Sequence, residues 1–297
     1  MKNKIIVLGH SGFIGKNIFI ALKKKSYKNK NLIIKGISTQ LIDLTKKISV
    51  KKLGKEITKQ SIIIICVVFK PKSEDSLRLF NQKTLSRNQT MIKNITNVIK
   101  HKRPKKIIYL SSNAVYGVYK NHKLVDEEAK IVVDTFYGKS KYLFEEMLKF
   151  VIGEKERKKL IILRPTTVYG PNEKFISNNP SGFLKLAKNE KKISIWGNGN
   201  EVREFLYIDD LTKIIIKLIQ KNFYGTLNLG GFSSSYINII NKVSKILKMR
   251  PKLENKKRTS FKVNKTYSKK LLKKVLPGIK LTSIEEGICK ILRKKFA

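Results

Sequence analysis

A tyrosine and a lysine four residues apart are the first pair in this sequence that could do chemistry. They are Tyr137 and Lys141, in the polar stretch "TFYGKSK" at residues 135–141. Residues four apart lie on one face of a helix. A phenol has a pKa of about 10, and a nearby ammonium group favours its ionised form, which is a usable general base. With 65 Lys and Arg among 297 residues, the same spacing also arises by chance, so the pair alone is also consistent with one exposed helical turn.

Three glycines near the start of the chain are spaced to hold a phosphate. Gly9, Gly12 and Gly15 fall in "GHSGFIG", directly after the apolar run "KIIVLG" at 4–9 and before a helical pattern. Glycine there permits a tight turn and close backbone approach to a pyrophosphate, and the helix N-terminus supplies free N–H donors. Such a motif can also be a plain strand–helix turn. Its place at the first strand of an alternating pattern favours a dinucleotide-binding loop.

The second strand ends without the acidic residue that binds the ribose 2′-hydroxyl of NAD. The stretch "IIKGISTQ" at 33–40 carries Lys35, Ser38 and Thr39 instead, and their side chains can receive a 2′-phosphate. The sequence therefore leans slightly toward NADP over NAD, with an ordinary polar turn as the alternative interpretation.

The formal net charge of +44 raises the question of nucleic-acid binding. The positive residues are spread along the whole chain in Lys-Lys and Lys-Asn pairs, and they form no concentrated arm or stripe. This distribution favours a generally basic surface over a dedicated nucleic-acid face, although the charge still attracts anionic ligands.

Length and residue usage indicate a folded cytoplasmic protein. Apolar residues make up 41% of the chain, and the longest apolar run, 62–69, has eight residues, too few to span a membrane. The first residues, "MKNKIIVLGH", begin directly with a strand-like pattern and show no signal-peptide core. Cys66, Cys289 and three scattered histidines predict reduced thiols and no metal site.

The first half of the chain alternates strand-like and helix-like segments. This alternation predicts an α/β fold, a Rossmann-type doubly wound parallel sheet covered on both faces, at residues 1–165. Short strands, Gly-rich turns and an amphipathic C-terminal helix then predict a smaller mixed α/β domain at 166–297, with a return of the chain to the sheet near 205–230. The predicted strands are 4–9, 31–37, 61–69, 105–112 and 159–165, and the predicted helices are about 13–25, 77–100 and 137–150.

Further stretches line up with the glycine loop and make a specific pattern. They are "YLSSNAVYG" at 109–117, "YGKSK" at 137–141, "LRPTTVYGPN" at 163–172, "WGNGNEVREFLYIDDL" at 196–211 and "LTSIEEGI" at 281–288. In this order and spacing they resemble the extended short-chain dehydrogenase/reductase family, the NAD(P)-dependent epimerases and dehydratases of nucleotide sugars that include UDP-galactose 4-epimerase. The resemblance covers nearly the whole chain.

The resemblance implies three catalytic residues. Tyr137 takes the hydroxyl proton, Lys141 favours the phenolate and bonds to the cofactor ribose, and Ser112 holds the substrate oxygen. Ser112 is the family's Ser/Thr when "SSNAVYG" is aligned on its terminal Val-Tyr-Gly, with Ser111 as its strand-end neighbour.

The resemblance also implies residues that bind the cofactor and the substrate. The cofactor set is Gly9, Gly12, Phe13, Ile14, Gly15, Ser38, Asp43, Leu44, Lys70, Asn88, Lys141 and Pro165. The substrate set is Ser112, Tyr137, Thr167, Trp196 and Arg203. Arg203 corresponds to the arginine that grips the nucleotide diphosphate, but Glu204 follows it where the family usually has Asp, and Val67 and Val68 stand where it usually has Ala or Gly.

The chain departs from the family's 4,6-dehydratases at one decisive place. Those enzymes have Asp-Glu directly after the Ser/Thr, whereas this chain has Asn113 and Ala114. The resemblance therefore implies an epimerase acting at a sugar carbon, C4, through a transient keto-sugar, or an NADPH-dependent keto-sugar reductase. It further implies a nucleotide-diphosphate-sugar substrate, a homodimer and a role in surface-polysaccharide precursor synthesis. A non-catalytic NADP(H)-binding protein and a basic nucleic-acid-binding protein are the more distant alternatives.

Overall fold

The computed structural model describes residues 3–27, 31–69, 80–117, 123–173, 178–257 and 264–294. The chain forms two compact units, which do not follow a single cut along the sequence. Unit 1 consists of Met1–Gly117, Lys130–Arg164 and Thr212–Leu227, and unit 2 consists of Val118–Ala129, Pro165–Leu211 and Asn228–Ala297.

Strands and helices alternate through the first unit, as the sequence pattern predicts. The strands are β1 (Asn3–Leu8), β2 (Leu32–Ile37), β3 (Ser61–Ile65), β4 (Lys106–Leu110), β5 (Lys123–Val125), β6 (Leu160–Pro165), β7 (Thr167–Tyr169), β8 (Ile193–Trp196), β9 (Val202–Tyr207), β10 (Gly225–Leu229), β11 (Phe232–Ser235), β12 (Leu253–Lys256) and β13 (Lys265–Tyr267). The α-helices are α1 (Phe13–Ser26), α2 (Lys47–Glu56), α3 (Gln82–Lys102), α4 (Phe136–Ile152), α5 (Pro180–Lys188), α6 (Ile208–Gln220), α7 (Tyr236–Leu247), α8 (Lys270–Val275) and α9 (Ile284–Lys294).

A six-stranded sheet in the order β10-β6-β4-β3-β1-β2 organises the fold. The pairings from β6 through β4, β3 and β1 to β2 are parallel. From β1 the chain moves to one side to form β2, and it then returns to form β3 on the other side of β1. The carboxyl ends of β1 and β3 therefore border a topological switch point, where doubly wound sheets bind their ligands. The predicted Rossmann-type fold is confirmed.

The sheet is stable because its strands are buried on both faces. All six residues of β6 are buried, and Ile63, Ile64 and Ile65 of β3 are fully enclosed. β-branched side chains fit such strands, and helices above and below cover them. No helix among the described residues has both the length and the apolarity needed to cross a bilayer.

The predicted strand 61–69 was too long, because β3 ends at Ile65. The next four residues leave the sheet and run past the glycine loop. Asn88 of α3 binds both backbone groups of Phe69: the Phe69 N–H donates to Oδ1 at 2.8 Å, and Nδ2 donates to the Phe69 carbonyl at 3.0 Å. The apolar run thus continues beyond the strand as a loop held by a side chain.

The predicted start of the third helix was also wrong. Helix α3 begins at Gln82, and Asn81 caps it by accepting a hydrogen bond from the Thr84 N–H at 3.0 Å. Residues 77–79 of the predicted helix lie outside the described part of the chain. The helix ends at Arg103, whose left-handed φ of 45° stops it before Pro104.

Unit 2 contains small sheets and three packed helices. Strands β11, β9 and β7 form one sheet, β12 pairs with β8, and β13 pairs with β5. Helix α5 packs against α7 and α9. The predicted amphipathic C-terminal helix is α9, which buries Ile284, Ile288 and Ile291.

Candidate functional site

The glycine loop has the shape of a phosphate cradle. Gly9 follows β1 with a φ of +84°, which favours glycine, and its N–H donates to the Ile37 carbonyl at 2.8 Å. A Cβ at Gly15 would lie 2.8 Å from the Gly9 carbonyl carbon and closer still to its oxygen. Gly12 is the N-cap of α1 and offers no side chain to its first N–H groups. The N–H groups of Phe13 and Ile14 are therefore suited to a pyrophosphate, so these residues fit a dinucleotide.

Hydrogen bonds fix the loop that follows β2. Ser38 is buried, and the Asp43 carboxylate accepts hydrogen bonds from the Thr45 hydroxyl at 2.7 Å and the Thr45 N–H at 3.0 Å. These bonds lower the pKa of Asp43. Asn94 of α3 donates to the Leu44 carbonyl at 2.9 Å. The loop is thus held in one shape at the carboxyl end of β2, where an adenosine ribose lies in dinucleotide folds.

Two predicted cofactor contacts gain a different interpretation from the structure. Lys35 forms an ion pair with Glu56 at 2.6 Å and is not committed to the loop after β2. Asn88 uses its amide on the backbone of Phe69 and on the Thr84 carbonyl at 3.0 Å, so it holds the loop after β3 in place. Lys70, the third residue predicted along this edge, lies outside the described residues.

Local structure explains how Tyr137 comes to Ser112. Thr135 caps α4 by accepting a hydrogen bond from the Gly138 N–H at 3.0 Å, which places Tyr137 in the first turn. A Cβ at Gly138 would lie 2.8 Å from the Ala114 carbonyl oxygen, so glycine there lets α4 approach the short 3₁₀ helix at 113–116 closely. Ser112 is the N-cap of that 3₁₀ helix, and its hydroxyl is hydrogen-bonded to the Tyr137 phenol.

Lys141 lies buried one turn beyond Tyr137. Its Nζ donates to the Leu110 carbonyl at 2.6 Å and lies 5.9 Å from the centre of the Tyr137 ring. The structure therefore brings Ser112, Tyr137 and Lys141 together within unit 1, at the carboxyl end of β4. The edge of the Tyr137 ring packs against Phe80, with ring centres 5.3 Å apart.

The pKa of Tyr137 moves in the direction opposite to that predicted. Burial raises it above the ordinary value of 10.0, and the hydrogen bond with Ser112 offsets this only in part. The desolvation of a phenolate thus outweighs the stabilisation that these neighbours provide. Further positive charge is needed to bring the phenol toward neutral pH, and an oxidised nicotinamide carries such a charge.

A buried ion pair next to these residues was missed in the sequence. Glu145 of α4 and Arg164 of β6 form a salt bridge at 2.5 Å, and both side chains are almost fully buried. Ser111 donates a hydrogen bond to the same carboxylate. The available signals were a charged residue in the apolar strand "LIILRP" and an acid one turn beyond Lys141. Ser111 and Ser112 thus have separate partners, which matches the predicted assignment of Ser112.

The predicted substrate residues lie in unit 2, and so does Pro165, which is buried in its first segment. Thr167 is exposed on β7 beside Phe205 of β9, two residues from Arg203. Arg203 makes an ion pair with Glu201 at 3.5 Å. Trp196 is half-buried at the end of β8.

Glu204 is buried and faces the interior of unit 2. Its Oε1 accepts a hydrogen bond from the Tyr267 N–H at 2.9 Å, and Lys269 lies 3.8 Å away. A Cβ at Gly230 would clash with Oε2, so the longer Glu side chain depends on that glycine. Burial raises the pKa of Glu204 above the ordinary value despite these partners.

Glu204 is expected to make the protein less stable as the pH rises. Because its pKa is raised on folding, the folded state holds the proton more tightly than the unfolded state, so the free energy of unfolding falls from about pH 4.5 through the folded pKa. The Glu204→Gln variant lacks this loss. Its stability relative to wild type should grow over this window, by about 1.4 kcal/mol per unit of pKa shift. Denaturant titrations at several pH values, with exposed Glu146→Gln as control, measure the difference; a flat difference contradicts the expectation.

The described residues include no group of three or more His, Cys, Asp or Glu side chains that could hold a metal ion. Cys66 and Cys289 are both free thiols. Burial raises the pKa of Cys66 to about 12, so this thiol is a poor nucleophile.

A family model agrees with this geometry. The model of the NAD dependent epimerase/dehydratase family matches residues 5–230, well over half of the chain. The chain belongs to that family. This match confirms the predicted resemblance, and family members are NAD(P)-dependent enzymes that act on nucleotide sugars.

Individual relatives of this epimerase/dehydratase are distant and diverse. The dTDP-4-dehydro-6-deoxy-D-allose reductase of a Streptomyces species is 26% identical over 50% of the chain, and the match spans only 47% of that relative. UDP-glucuronic acid 4-epimerase from Bacillus cereus, solved with UDP-glucuronic acid and NAD, has a TM-score of 0.79 at 21% identity over 99% of this chain and 100% of that one. The dTDP-4-dehydrorhamnose reductase of Bacillus anthracis, solved with NADP, has a TM-score of 0.76 at 20% identity with the same coverage. These structures share the fold.

Proposed function

We propose that the protein is an NAD(P)-dependent nucleotide-sugar epimerase that inverts a sugar carbon, C4, through a transient keto-sugar. The observation that carries the proposal is the group formed by Ser112, Tyr137 and Lys141. A secondary alcohol gives up a hydride only if its hydroxyl proton is removed at the same time, and this group suits that proton transfer. The family and the phosphate cradle at Gly9 support a dinucleotide partner.

Each residue of the group has a separate role. Bound nicotinamide supplies the hydride acceptor and donor. The Ser112 hydroxyl holds the sugar oxygen, and Tyr137 takes the hydroxyl proton during oxidation and returns it when the ketone is reduced. Lys141 stabilises the phenolate between these steps. Because the same residues serve oxidation and reduction, a keto-sugar that presents its other face is reduced to the epimer.

A dehydratase is disfavoured by the residues after Ser112. Loss of water from the sugar needs an acid and a base beside the oxidised carbon. Asn113 and Ala114 occupy the start of the 3₁₀ helix there, and neither side chain can exchange a proton at neutral pH.

A keto-sugar-nucleotide reductase that uses NADPH is the second candidate. The end of β2 carries no carboxylate that would repel a 2′-phosphate, and Ser38 and Thr39 lie there instead. The ion pair of Lys35 with Glu56 weakens the argument, because one of the three predicted phosphate ligands is engaged elsewhere.

The substrate proposal is a nucleotide-diphosphate sugar of surface-polysaccharide synthesis. A guanidinium suits a diphosphate because it makes paired, charge-assisted hydrogen bonds. Arg203 is half-buried on β9, with Thr167 nearby on β7 and Trp196 on β8 as further candidates. A homodimer through α4 also stays a proposal, and the exposed Phe150 on that helix, 78% accessible, is consistent with it.

Identifying the dinucleotide that the purified protein releases on denaturation tests the proposal. Released NAD, together with interconversion of UDP- or dTDP-hexoses followed by chromatography, is the expected result for an epimerase. An empty protein that prefers NADPH and reduces a keto-sugar nucleotide supports the second candidate. Failure to bind either dinucleotide at micromolar concentration contradicts both.

A further inference from the structure

The ion pair between Glu145 and Arg164 is fully hydrogen-bonded. The Arg164 Nε donates to Oε1 of Glu145 at 3.0 Å, and Nη2 donates to Oε2 at 2.5 Å, which makes a two-pronged contact. Nη1 donates to the Tyr116 hydroxyl at 2.9 Å, and the Ser111 hydroxyl donates to Oε1. Burying two charges costs several kcal/mol, and apolar side chains of similar volume often hold a core equally well. The pair therefore calls for an explanation beyond cohesion.

Each member of this cluster is adjacent to the catalytic group in sequence or on a helix. Ser111 directly precedes Ser112, and Tyr116 ends the 3₁₀ helix that Ser112 caps. Glu145 lies one helical turn beyond Lys141 and two beyond Tyr137 on α4. Through Arg164 of β6, the pair thus ties together the backbone segments that carry the three catalytic residues.

The pair also controls the charge felt around Lys141. Tyr109 is packed beside it: burial and then the Glu145 charge raise the pKa of Tyr109, whose hydroxyl donates to the Lys141 carbonyl at 3.3 Å. The Lys141 Nζ lies 5.3 Å from the Tyr109 ring centre and donates to Leu110. Although burial lowers the pKa of Arg164, its bonds to Glu145 raise it above the ordinary value. The guanidinium thus stays charged and offsets the carboxylate.

We propose that Arg164 and Glu145 are a positioning pair for the catalytic group. Their ion pair holds Ser112, Tyr137 and Lys141 in register, and Arg164 prevents the Glu145 carboxylate from opposing the ionisation of Tyr137. The proposal rests on the proposed function in that Tyr137 is the acid–base group.

The pKa of Tyr137 in variants of the pair tests the proposal. Tyrosine isotope-labelled at the ζ carbon reports the pKa by NMR, and the Tyr137 signal is the one missing from Tyr137→Phe. Arg164→Gln leaves a carboxylate unpaired and should raise the pKa of Tyr137. Glu145→Gln leaves a guanidinium unpaired and should lower it. Eight residues of helix span about 12 Å, and at an effective dielectric constant of about 20 each shift is about one unit.

Three further variants complete the test. The double variant Glu145→Gln/Arg164→Gln should return the pKa of Tyr137 close to wild type. Glu146→Gln removes an exposed carboxylate that pairs with Lys149 on the same helix, and it should leave the pKa unchanged. Arg164→Lys keeps the charge but not the two-pronged contact, so it should preserve the pKa while lowering kcat, with little change in KM for the dinucleotide.

Shifts of opposite sign in the two single variants support the proposal, because a merely loosened structure moves the pKa the same way in both. Shifts of the same sign, or none, overturn it. If Arg164→Gln does not fold, the Glu145→Gln shift and the kcat of Arg164→Lys decide in the same manner. A wild-type protein that converts no nucleotide sugar overturns the proposed function alone, because the titration of Tyr137 needs no substrate.

Discussion

Replacing Tyr137 with phenylalanine is expected to lower kcat by about 10²- to 10⁴-fold, the usual contribution of a general acid–base group. The change removes only the hydroxyl, so the ring can keep its edge contact with Phe80 at 5.3 Å. Dinucleotide affinity and the midpoint of thermal unfolding should therefore stay close to wild type. Steady-state kinetics with a converted nucleotide sugar, together with a dinucleotide titration, measure the effect.

Tyr142→Phe is the matched control for this variant. Tyr142 lies on the same helix α4 and is half-buried. It should retain full activity. Equal losses in both variants, or no loss in Tyr137→Phe, would show that the phenol at 137 does not transfer the proton.

Replacing Gly15 with alanine is expected to weaken dinucleotide binding by about 100-fold, the size of effect that a displacement of about 1 Å can produce in a positioned site. The new Cβ meets the Gly9 carbonyl, a backbone group that cannot rotate away, so the whole cradle must shift. Helix propensity acts the other way, since alanine in a helix is favoured over glycine by about 1 kcal/mol. Isothermal titration with NAD and NADP measures the affinity.

Gly54→Ala provides the control for helix propensity. Gly54 lies in α2, and its added Cβ would meet only the Lys102 side chain at 3.7 Å, an ordinary contact. This variant should be slightly more stable than wild type and bind dinucleotide normally. If Gly15→Ala behaves like Gly54→Ala, the loop at 9–15 is not the phosphate cradle.

The parallel sheet could be predicted because its strands follow a strong local pattern. Runs such as "KLIILRP" are apolar and rich in β-branched residues, and the glycine spacing marks the first strand–helix junction. The length of β3 could not be predicted, because residues 66–69 are as apolar as the strand itself. Only the distant amide of Asn88 reveals that Phe69 belongs to a loop.

Interactions between distant residues set the other limits. The segment 118–129 joins unit 2 because β5 pairs with β13, some 140 residues away, and no local pattern encodes that pairing. The Glu145–Arg164 pair likewise depends on how α4 packs against β6. The direction of the Tyr137 pKa was predicted wrongly because a sequence shows neighbouring charges but not the burial that outweighs them.

The central claim is that this chain transfers a hydride between a sugar carbon and a nicotinamide, with Tyr137 handling the proton. The most direct measurement uses nucleotide hexoses carrying deuterium at C4, followed by acid quenching and mass spectrometry of the recovered dinucleotide and sugar. The account predicts deuterium on the nicotinamide with wild-type protein and far less with Tyr137→Phe. Conversion of the sugar without deuterium ever reaching the nicotinamide contradicts it.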